Sequence, residues 1–246
     1  MDLRDRVVLL TGGKRIGATV AVELARRGAD VALSYNRSRT EAEEAAGRIR
    51  GLGRRTEIFA ADVSSATACE ALVASVVASL GRLDVLVNMA SIYRSVPFDR
   101  MTDEDLQASL DVDLKSAFNC ARAAAPQMKA VGGGRIVNVS DWLAVSQRPR
   151  YRGFVGYYVA KTAVIGLTSA LALELAADHI LVNAIAPGPI LAPPDLAEDE
   201  YESVEKATPL GHWGGGEEIA KTILALIDSD FITGETLRVD GGRHVR

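Results

Sequence analysis

Short apolar runs rich in Val, Ile and Leu alternate along the chain with longer segments in which apolar residues recur at helical spacing. The short runs predict strands at 6–11, 30–35, 56–61, 85–88, 135–140, 180–185 and 236–239. The longer segments predict helices at 16–27, 41–52, 67–80, 103–129, 155–177 and 217–226. Strands that are apolar on both faces and joined by crossover helices form a parallel sheet covered on both sides. We therefore expect an α/β fold, a single doubly wound Rossmann-like domain with about seven parallel strands.

Composition and charge exclude several classes of protein. The 246 residues are 48% hydrophobic, and 28 basic residues are dispersed among 32 acidic ones, which gives a net charge of −4. No basic cluster indicates a nucleic acid or an anionic membrane as partner. No apolar run has the length of a signal peptide core or a membrane span. These features predict a soluble cytoplasmic protein, and Cys69 and Cys120 are expected to be buried free thiols.

The first strand leads directly into the turn Gly12-Gly13-Lys14-Arg15-Ile16-Gly17, and a helix follows. Glycines at such a turn let the backbone approach a pyrophosphate, and the helix N-terminus offers free amides and a positive dipole end. The turn is predicted to bind cofactor phosphates through Gly12, Lys14, Arg15, Ile16 and Gly17. An ordinary glycine turn is the alternative.

The second strand ends in Tyr35-Asn36-Arg37-Ser38. A carboxylate near this position would hold the ribose diol of NAD and repel a 2′-phosphate. This chain has an arginine and a serine there, which can donate hydrogen bonds to that phosphate. The segment therefore predicts NADP(H) as cofactor, unless Arg37 is only a solvated loop charge.

Two further strand ends carry polar residues. Asp62-Val63 follows the third strand, where the carboxylate either faces the adenine or caps the next helix. Asn88 ends the fourth strand, and Ala90 and Ser91 follow it. Ligands of open α/β sheets bind at such carboxyl ends, so these residues are expected to line the site.

Tyr157 and Lys161 lie four residues apart in a helical segment. At that spacing the phenol and the ammonium share one face of the helix. A neighbouring cation lowers the pKa of a phenol from its usual value of about 10, so Tyr157 could donate a proton near neutral pH. On its own the pair could equally be a packed ring and a solvated charge.

These motifs, in this order, resemble the short-chain dehydrogenase/reductase family over essentially the whole chain. The set comprises Thr11-Gly12, Asp62, Asn88-x-Ala90, Asn138-Val139-Ser140, Tyr157-x-x-x-Lys161, Pro187-Gly188 and Val239-Asp240-Gly241-Gly242. The resemblance implies that Tyr157 supplies the proton and that Lys161 binds the nicotinamide ribose and lowers the tyrosine pKa. It also implies that residues 187–208 form a lid, whose Pro187, Gly188 and Ile190 contact the cofactor. Homotetramers formed through the two long helices are expected.

Details of the motifs resemble the pteridine reductase branch of that family. They are Lys14-Arg15-Ile16-Gly17 at the first turn, Arg37-Ser38 after the second strand, and Asp141 where a catalytic serine is usual. By this resemblance Arg15 reaches the phosphates and the substrate, Tyr93 sandwiches a pterin ring against the nicotinamide, and Ser91 borders the pocket. Asp141 has its own rationale, since a carboxyl with a raised pKa can help protonate a ring nitrogen. Alternatively Asp141 is a helix cap and Ser140 is the working hydroxyl.

Three features depart from the family pattern. The first turn is one residue shorter than in the family. Asp113 occupies the position of a usual asparagine. A carboxylate there would attract Lys161 and alter the proton relay, and an exposed helical acid without such a role is the alternative. The loop between Asp141 and Tyr157 is longer than usual and carries Arg148, Arg150 and Arg152, which either meet an anionic substrate tail or are solvated.

The motifs together predict an NADPH-dependent reductase that transfers hydride to a small-molecule pterin or dihydrofolate-like C=N substrate. A 3-oxoacyl-thioester reductase or another carbonyl reductase is the alternative enzyme. A catalytically silent dinucleotide-binding regulator is the alternative from another class.

Overall fold

A single twisted parallel sheet forms the centre of the computed structural model, which describes residues 1–194 and 196–246. Its seven strands have the order β3-β2-β1-β4-β5-β6-β7. They are β1 Val7–Thr11, β2 Asp30–Tyr35, β3 Thr56–Ala60, β4 Val85–Asn88, β5 Gly134–Val139, β6 Ile180–Pro187 and β7 Thr236–Val239. The predicted single Rossmann-like domain with a seven-stranded parallel sheet is confirmed.

Two layers of helices cover the sheet, because neighbouring residues of its central strands face opposite sides. Val8 and Leu10 of β1 belong to one apolar core, whereas Val7 and Leu9 belong to the other. The first core is shared with α1 Ile16–Arg26, α2 Arg39–Gly51 and α9 Gly216–Asp228. The second is shared with α3 Ala66–Leu80, α5 Ser116–Ala130 and α7 Val155–Leu175. Strands apolar on both faces are what such burial requires.

The predicted helix 103–129 is divided into three segments. Its first part is α4 Asp103–Ser109, a π-helical segment Leu110–Lys115 follows, and α5 completes it. The apolar spacing continues through the π-helical segment, so the sequence pattern does not reveal it. Single π-helical turns inside helices occur frequently at functional sites, and this one contains Asp113.

Two short helices were not predicted. The first, α6 Trp142–Ser146, follows directly on Asp141, and the second, α8 Glu198–Lys206, lies within the predicted lid. Asp195, which also belongs to the predicted lid, lies outside the described residues.

The expectation that no segment could span a membrane needs one correction. The helical stretch Val155–Asp178 is long and apolar enough to do so, with a mean hydropathy of 1.5. Core helices of soluble proteins meet the same criterion, and this stretch packs on β6 through α7 and carries Tyr157 and Lys161. Its composition is therefore weak support for a membrane span.

The chain changes direction across the sheet between β1 and β4, which are adjacent although they are not consecutive. Thr11 at the end of β1 is in register with Asn88 at the end of β4, and Asn88 is in register with Asn138 of β5. Open α/β sheets bind ligands outside the carboxyl ends of strands at such a point.

Candidate active site

The turn after β1 is closely packed against the ends of β4 and α1. The hydroxyl of Thr11 accepts hydrogen bonds from the amides of Met89 (3.1 Å) and Ala90 (3.2 Å). Gly12 has a φ of 83°, and a Cβ at Gly17 would lie 2.2 Å from the carbonyl oxygen of Gly12. Glycine at position 17 is therefore required by close backbone packing, and the turn leaves the first residues of α1 next to the ligand crevice.

The two basic side chains of this turn point in different directions. Lys14 forms an ion pair with Glu41, with 3.2 Å between its Nζ and Oε1. Arg15 has a φ of 53° and donates from its guanidinium to the carbonyls of Leu191 (3.5 Å) and Ala192 (2.6 Å). Arg15 therefore links the phosphate-binding turn to the predicted lid, a role that the sequence did not indicate. Ile16 and Gly17 begin α1.

The segment after β2 leaves one arginine available for a ligand. Tyr35 ends the strand, Asn36 and Arg37 are exposed, and Ser38 precedes α2. Arg39 forms an ion pair with Glu43 at 2.7 Å, whereas no described carboxylate lies within ion-pair distance of Arg37. Arg37 is thus free to bind a phosphate at the end of β2.

Asp62 does not cap a helix. Its Oδ1 accepts hydrogen bonds from the amide (3.1 Å) and the hydroxyl (2.7 Å) of Ser64, while Ser65 caps α3. The alternative prediction of a cap is therefore wrong. The exposed carboxylate stays at the end of β3, and the next residue, Val63, is buried.

A buried amide network fixes the ends of β4 and β5. Asn88 donates from its Nδ2 to the Oδ1 of Asn138 at 2.9 Å, and Asn138 donates to the Thr168 hydroxyl at 3.0 Å. Thr168 belongs to α7, so the network connects the sheet to the helix that carries Tyr157.

Tyr157 is hydrogen-bonded to Asp141. The tyrosine Oη donates to the Asp141 Oδ2 at 2.9 Å, and the other carboxylate oxygen accepts from the amide of Leu143 at 2.8 Å. Asp141 is therefore the N-cap of α6 and a partner of Tyr157 at the same time. Burial raises the pKa of Asp141, an effect that the hydrogen bonds from Leu143 and Tyr157 partly oppose. Burial, and then the nearby charge of Asp141, raise the pKa of Tyr157 well above its ordinary value.

Ser140 has a different role from the one considered for it. Its hydroxyl is buried and donates to the carbonyl oxygen of Lys161 at 2.8 Å. The alternative in which Ser140 is the working hydroxyl is wrong, because that hydroxyl is committed to the backbone of α7.

Lys161 forms a buried ion pair with Asp113. The distance from Nζ to Oδ1 is 3.0 Å, and the two side chains are 3% and 0% exposed. Lys161 also donates to the carbonyl of Val139 at 2.9 Å, and its Nζ lies 5.6 Å from the centroid of the Tyr157 ring. The hydroxyl of Ser91 donates to the same Oδ1 of Asp113. The expectation that Asp113 would attract Lys161 is confirmed.

Aromatic rings border the crevice beside Tyr157. Tyr93 is 59% exposed and stacks on Phe154 with 4.4 Å between ring centroids, and its ring lies edge-on to that of Tyr157 at 4.9 Å. Burial of part of its ring, and then the nearby charge of Asp141, raise the pKa of Tyr93 to about 12. Phe154 was not identified from the sequence, because only the fold brings it onto Tyr93. One face of Tyr93 is therefore already covered by a protein ring.

The segment that begins at Pro187 crosses the carboxyl edge of the sheet. Pro187 ends β6, and the amide of Gly188 donates to the carbonyl of Val239 at 2.9 Å. A Cβ at Gly188 would lie 2.6 Å from the Cβ of Asp240, so only glycine fits this crossing. Ile190 is buried, and the carbonyls of the next two residues accept from Arg15.

The arginines of the long loop gather near α6. The guanidinium of Arg150 lies over the Trp142 ring at 5.3 Å, and Arg150 also donates to the main-chain oxygen of Arg246. Arg148 and Arg152 are exposed, and no described carboxylate lies within ion-pair distance of either. The loop places positive charge next to the helix that Asp141 caps.

Among the described residues, no group of three or more His, Cys, Asp or Glu side chains could hold a metal ion. Cys69 and Cys120 are buried free thiols, as expected. The titratable groups that the crevice brings together are Tyr157, Lys161 and the two carboxylates beside them.

Comparisons with known proteins are consistent with this geometry. A family model described as enoyl-(acyl carrier protein) reductase matches residues 13–244. The chain is 37% identical over 242 residues to the 3-oxoacyl-(acyl-carrier-protein) reductase FabG of Staphylococcus aureus, an alignment that covers 96% of this chain and 97% of the relative.

Solved structures of similar proteins share the fold. A short-chain dehydrogenase/reductase from Serratia marcescens has a TM-score of 0.91 at 32% identity and covers 99% of this chain and 100% of its own. A short chain dehydrogenase from Burkholderia cenocepacia in complex with NADP has a TM-score of 0.91 at 33% identity, with 99% of each chain covered.

Proposed function

Because this chain belongs to the short-chain dehydrogenase/reductase family, we propose that it is an NADPH-dependent reductase of a carbonyl group, with 3-oxoacyl thioesters as its substrate class. NAD(P)-dependent oxidoreduction is common to the family. The substrate class is supported by the relative named above and was the alternative enzyme considered from the sequence. We place the enzyme in the cytoplasm on the same grounds.

The residues at the carboxyl edge fit NADP(H). The turn from Gly12 to Gly17 brings free amides of α1 to the crevice, which suits a pyrophosphate. Arg37 is exposed at the end of β2, where a 2′-phosphate would lie, and Asp62 at the end of β3 would face the adenine. When bound, the cofactor supplies the hydride. The NADP complex of the Burkholderia structure supports the same choice for this chain.

The proton comes from Tyr157 in this mechanism. Its hydroxyl would donate to the substrate carbonyl oxygen as negative charge develops there. Lys161 holds a positive charge beneath the ring and would bind the nicotinamide ribose. Asp141 would orient the Tyr157 hydroxyl through the hydrogen bond that it accepts, and the tyrosinate left after the transfer would take up a proton from solvent.

One observation carries this proposal. The hydrogen bond of 2.9 Å between Tyr157 and Asp141 and the ammonium of Lys161 meet where β4 and β5 end, which is the ligand edge of the sheet. A catalytically silent regulator would have no need of a proton donor placed between a buried acid and a buried cation.

A pterin or dihydrofolate-like C=N substrate is the second candidate, favoured by Asp141. A carboxyl group whose pKa is raised by burial can donate to an amino-pyrimidine edge, which a serine hydroxyl does less well. Two observations count against it. One face of Tyr93 is covered by Phe154, and Arg15 is bonded to lid carbonyls.

The test is NADPH oxidation measured with acetoacetyl-coenzyme A, dihydrobiopterin and dihydrofolate in wild type and in the Asp141→Ser variant. Turnover of the thioester that persists in Asp141→Ser supports the proposal. Turnover of dihydrobiopterin or dihydrofolate alone, lost in Asp141→Ser, would favour the pterin or dihydrofolate-like substrate over the thioester. Tight NADPH binding without any turnover would favour the regulator.

The assembly and the lid are further parts of the proposal. Leu173 of α7 is 81% exposed, and Val159 of α7 and Phe118 of α5 also expose apolar side chains. Such faces suit a homotetramer formed through these helices, which light scattering after size exclusion would detect. The segment 187–208 would close over the substrate, with Arg15 as its contact to the cofactor turn.

A further inference from the structure

Asp113 and Lys161 form a buried ion pair directly beneath the proposed proton donor. Their side chains are 0% and 3% exposed, and the charged atoms are 3.0 Å apart. An ion pair so deeply buried is expensive to desolvate and contributes little net stability relative to apolar residues of the same size. Its presence therefore requires an explanation other than stability.

The carboxylate of Asp113 is held by donors on both oxygens. Oδ1 accepts from Lys161 and from the Ser91 hydroxyl, and Oδ2 accepts from the amide of Ile92 at 3.5 Å. Three donors to one carboxylate fix its position. Asp113 is thus held in the π-helical segment, where this segment packs against α7.

The charge balance around Tyr157 follows from the groups that face it. Asp141 approaches from the N-terminus of α6, Asp113 from the π-helical segment, and Tyr93 from the loop after β4; Lys161 lies on the same helix. The ammonium of Lys161 favours the tyrosinate, whereas the carboxylates oppose it. Because Asp113 is paired with Lys161, it cancels much of the field that this lysine would exert on the phenol.

We propose that Asp113 is a positioning residue that holds Lys161 through the buried pair and, by offsetting its charge, sets the alkaline limb of the pH–rate profile at a higher pH than Lys161 alone would. The inference rests on the proposed reductase function for its kinetic readout. It deepens that function by assigning a positioning role to Asp113, which does not touch the substrate.

The direction in which the alkaline limb moves when Asp113 is replaced follows from the protonation state that Tyr157 needs. Reduction needs a protonated Tyr157, so the rate falls as the pH rises through the tyrosine pKa. Replacing Asp113 by Asn removes a negative charge and leaves the Lys161 charge uncompensated. An uncompensated cation about 4–6 Å away lowers the pKa of an acid by about 1–3 pH units. The alkaline limb is therefore expected at lower pH in the variant.

The kinetic experiment compares kcat/KM for acetoacetyl-coenzyme A as a function of pH in wild type, Asp113→Asn and Asp111→Asn. Asp111 lies on the same segment but is paired with Lys115, so its replacement removes the same charge away from Tyr157. We expect the limb to move down by about 1 pH unit or more in Asp113→Asn and to stay in place in Asp111→Asn. An unchanged limb in Asp113→Asn, or one that moves upward, would overturn the proposal.

A second variant separates charge from packing. Asp113→Glu keeps the charge and is expected to keep the limb close to its wild-type position, even if its activity is lower. If Asp113→Glu moved the limb as far as Asp113→Asn, the effect would come from packing and the proposal would fail. Thermal unfolding and NADPH binding establish that each variant is folded.

A measurement without substrate distinguishes this inference from the proposed function. Tyrosinate absorbance is titrated in the NADP⁺ complex, and the Tyr157 contribution is the difference between the protein and the same protein carrying Tyr157→Phe. The tyrosine should ionise at lower pH in Asp113→Asn, whether or not a thioester is reduced. Equal titration in both would refute the role of Asp113, whereas missing thioester turnover alone would refute only the substrate class.

Discussion

Replacing Gly17 by alanine should damage both the fold and the cofactor site, because the new Cβ would lie 2.2 Å from the carbonyl oxygen of Gly12. No side chain can move to relieve this clash, since both partners belong to the backbone. Overpacking of this kind costs about 1–3 kcal/mol, and a rigid backbone contact places the cost near the upper end. The helix gains about 0.5–1 kcal/mol when alanine replaces glycine, so the net loss is about 2 kcal/mol.

The control is Gly47→Ala, in the exposed face of α2, where a Cβ would meet no atom within 4 Å. That variant should gain about 0.5–1 kcal/mol from helix propensity alone. For a chain of this size each kcal/mol corresponds to about 2–4 °C in Tm, so Gly17→Ala should melt about 4–8 °C below wild type. Calorimetry without cofactor measures this difference, and a fluorescence titration should show weaker NADPH binding in Gly17→Ala only. Equal stability of the two alanine variants would refute the packing argument.

Two further predictions concern the cofactor and the buried acid. Arg37→Asp should weaken NADPH binding by about 10- to 100-fold, as expected for the loss of one charge-assisted contact. The same change should raise kcat/KM with NADH relative to kcat/KM with NADPH. The matched change Arg48→Asp in α2 should have neither effect. Burial raises the pKa of Asp141, so the folded state holds its proton to higher pH than the unfolded chain does. Stability from this group is therefore present at low pH and is lost as the pH rises toward the raised pKa, by about 1.4 kcal/mol for each pH unit that separates the folded and unfolded pKa values. Asp141→Asn should accordingly gain Tm relative to wild type as the pH rises above about 4, the ordinary pKa of an aspartate, and a difference that stays constant with pH would contradict the assignment.

The sheet could be predicted from the sequence because its strands are buried on both sides. Val7 to Leu10 form an unbroken apolar run that is buried throughout, and a run of that kind leaves few alternatives to a covered parallel strand. The positions of the ligand-binding turns could then be predicted as well, because these turns begin where the strands end. Tyr157 and Lys161 could be expected to share one helix face because of their spacing, and Asp141 could be expected beside them because of the family resemblance.

The remaining features depend on contacts between distant parts of the chain. The helix α6 is five residues long, too short to carry a periodic pattern, and it exists because Asp141 caps it. The π-helical segment that turns Asp113 toward Lys161 continues the apolar spacing of its flanking helices. Likewise, Phe154 stacks on Tyr93 and Arg15 bonds to Ala192 because the fold brings together segments that are distant in the sequence. Short segments of the sequence therefore do not predict these contacts.

If Tyr157 delivers the proton in an NADPH-dependent carbonyl reduction, its hydroxyl is needed for turnover but not for cofactor binding. The rate of NADPH oxidation with acetoacetyl-coenzyme A is measured in wild type and in Tyr157→Phe, together with the NADPH dissociation constant of each. We expect a rate lower by about 10²–10⁴-fold in the variant, the usual contribution of a general acid, with NADPH affinity nearly unchanged. A Tyr157→Phe protein that reduces the thioester at the wild-type rate would contradict it.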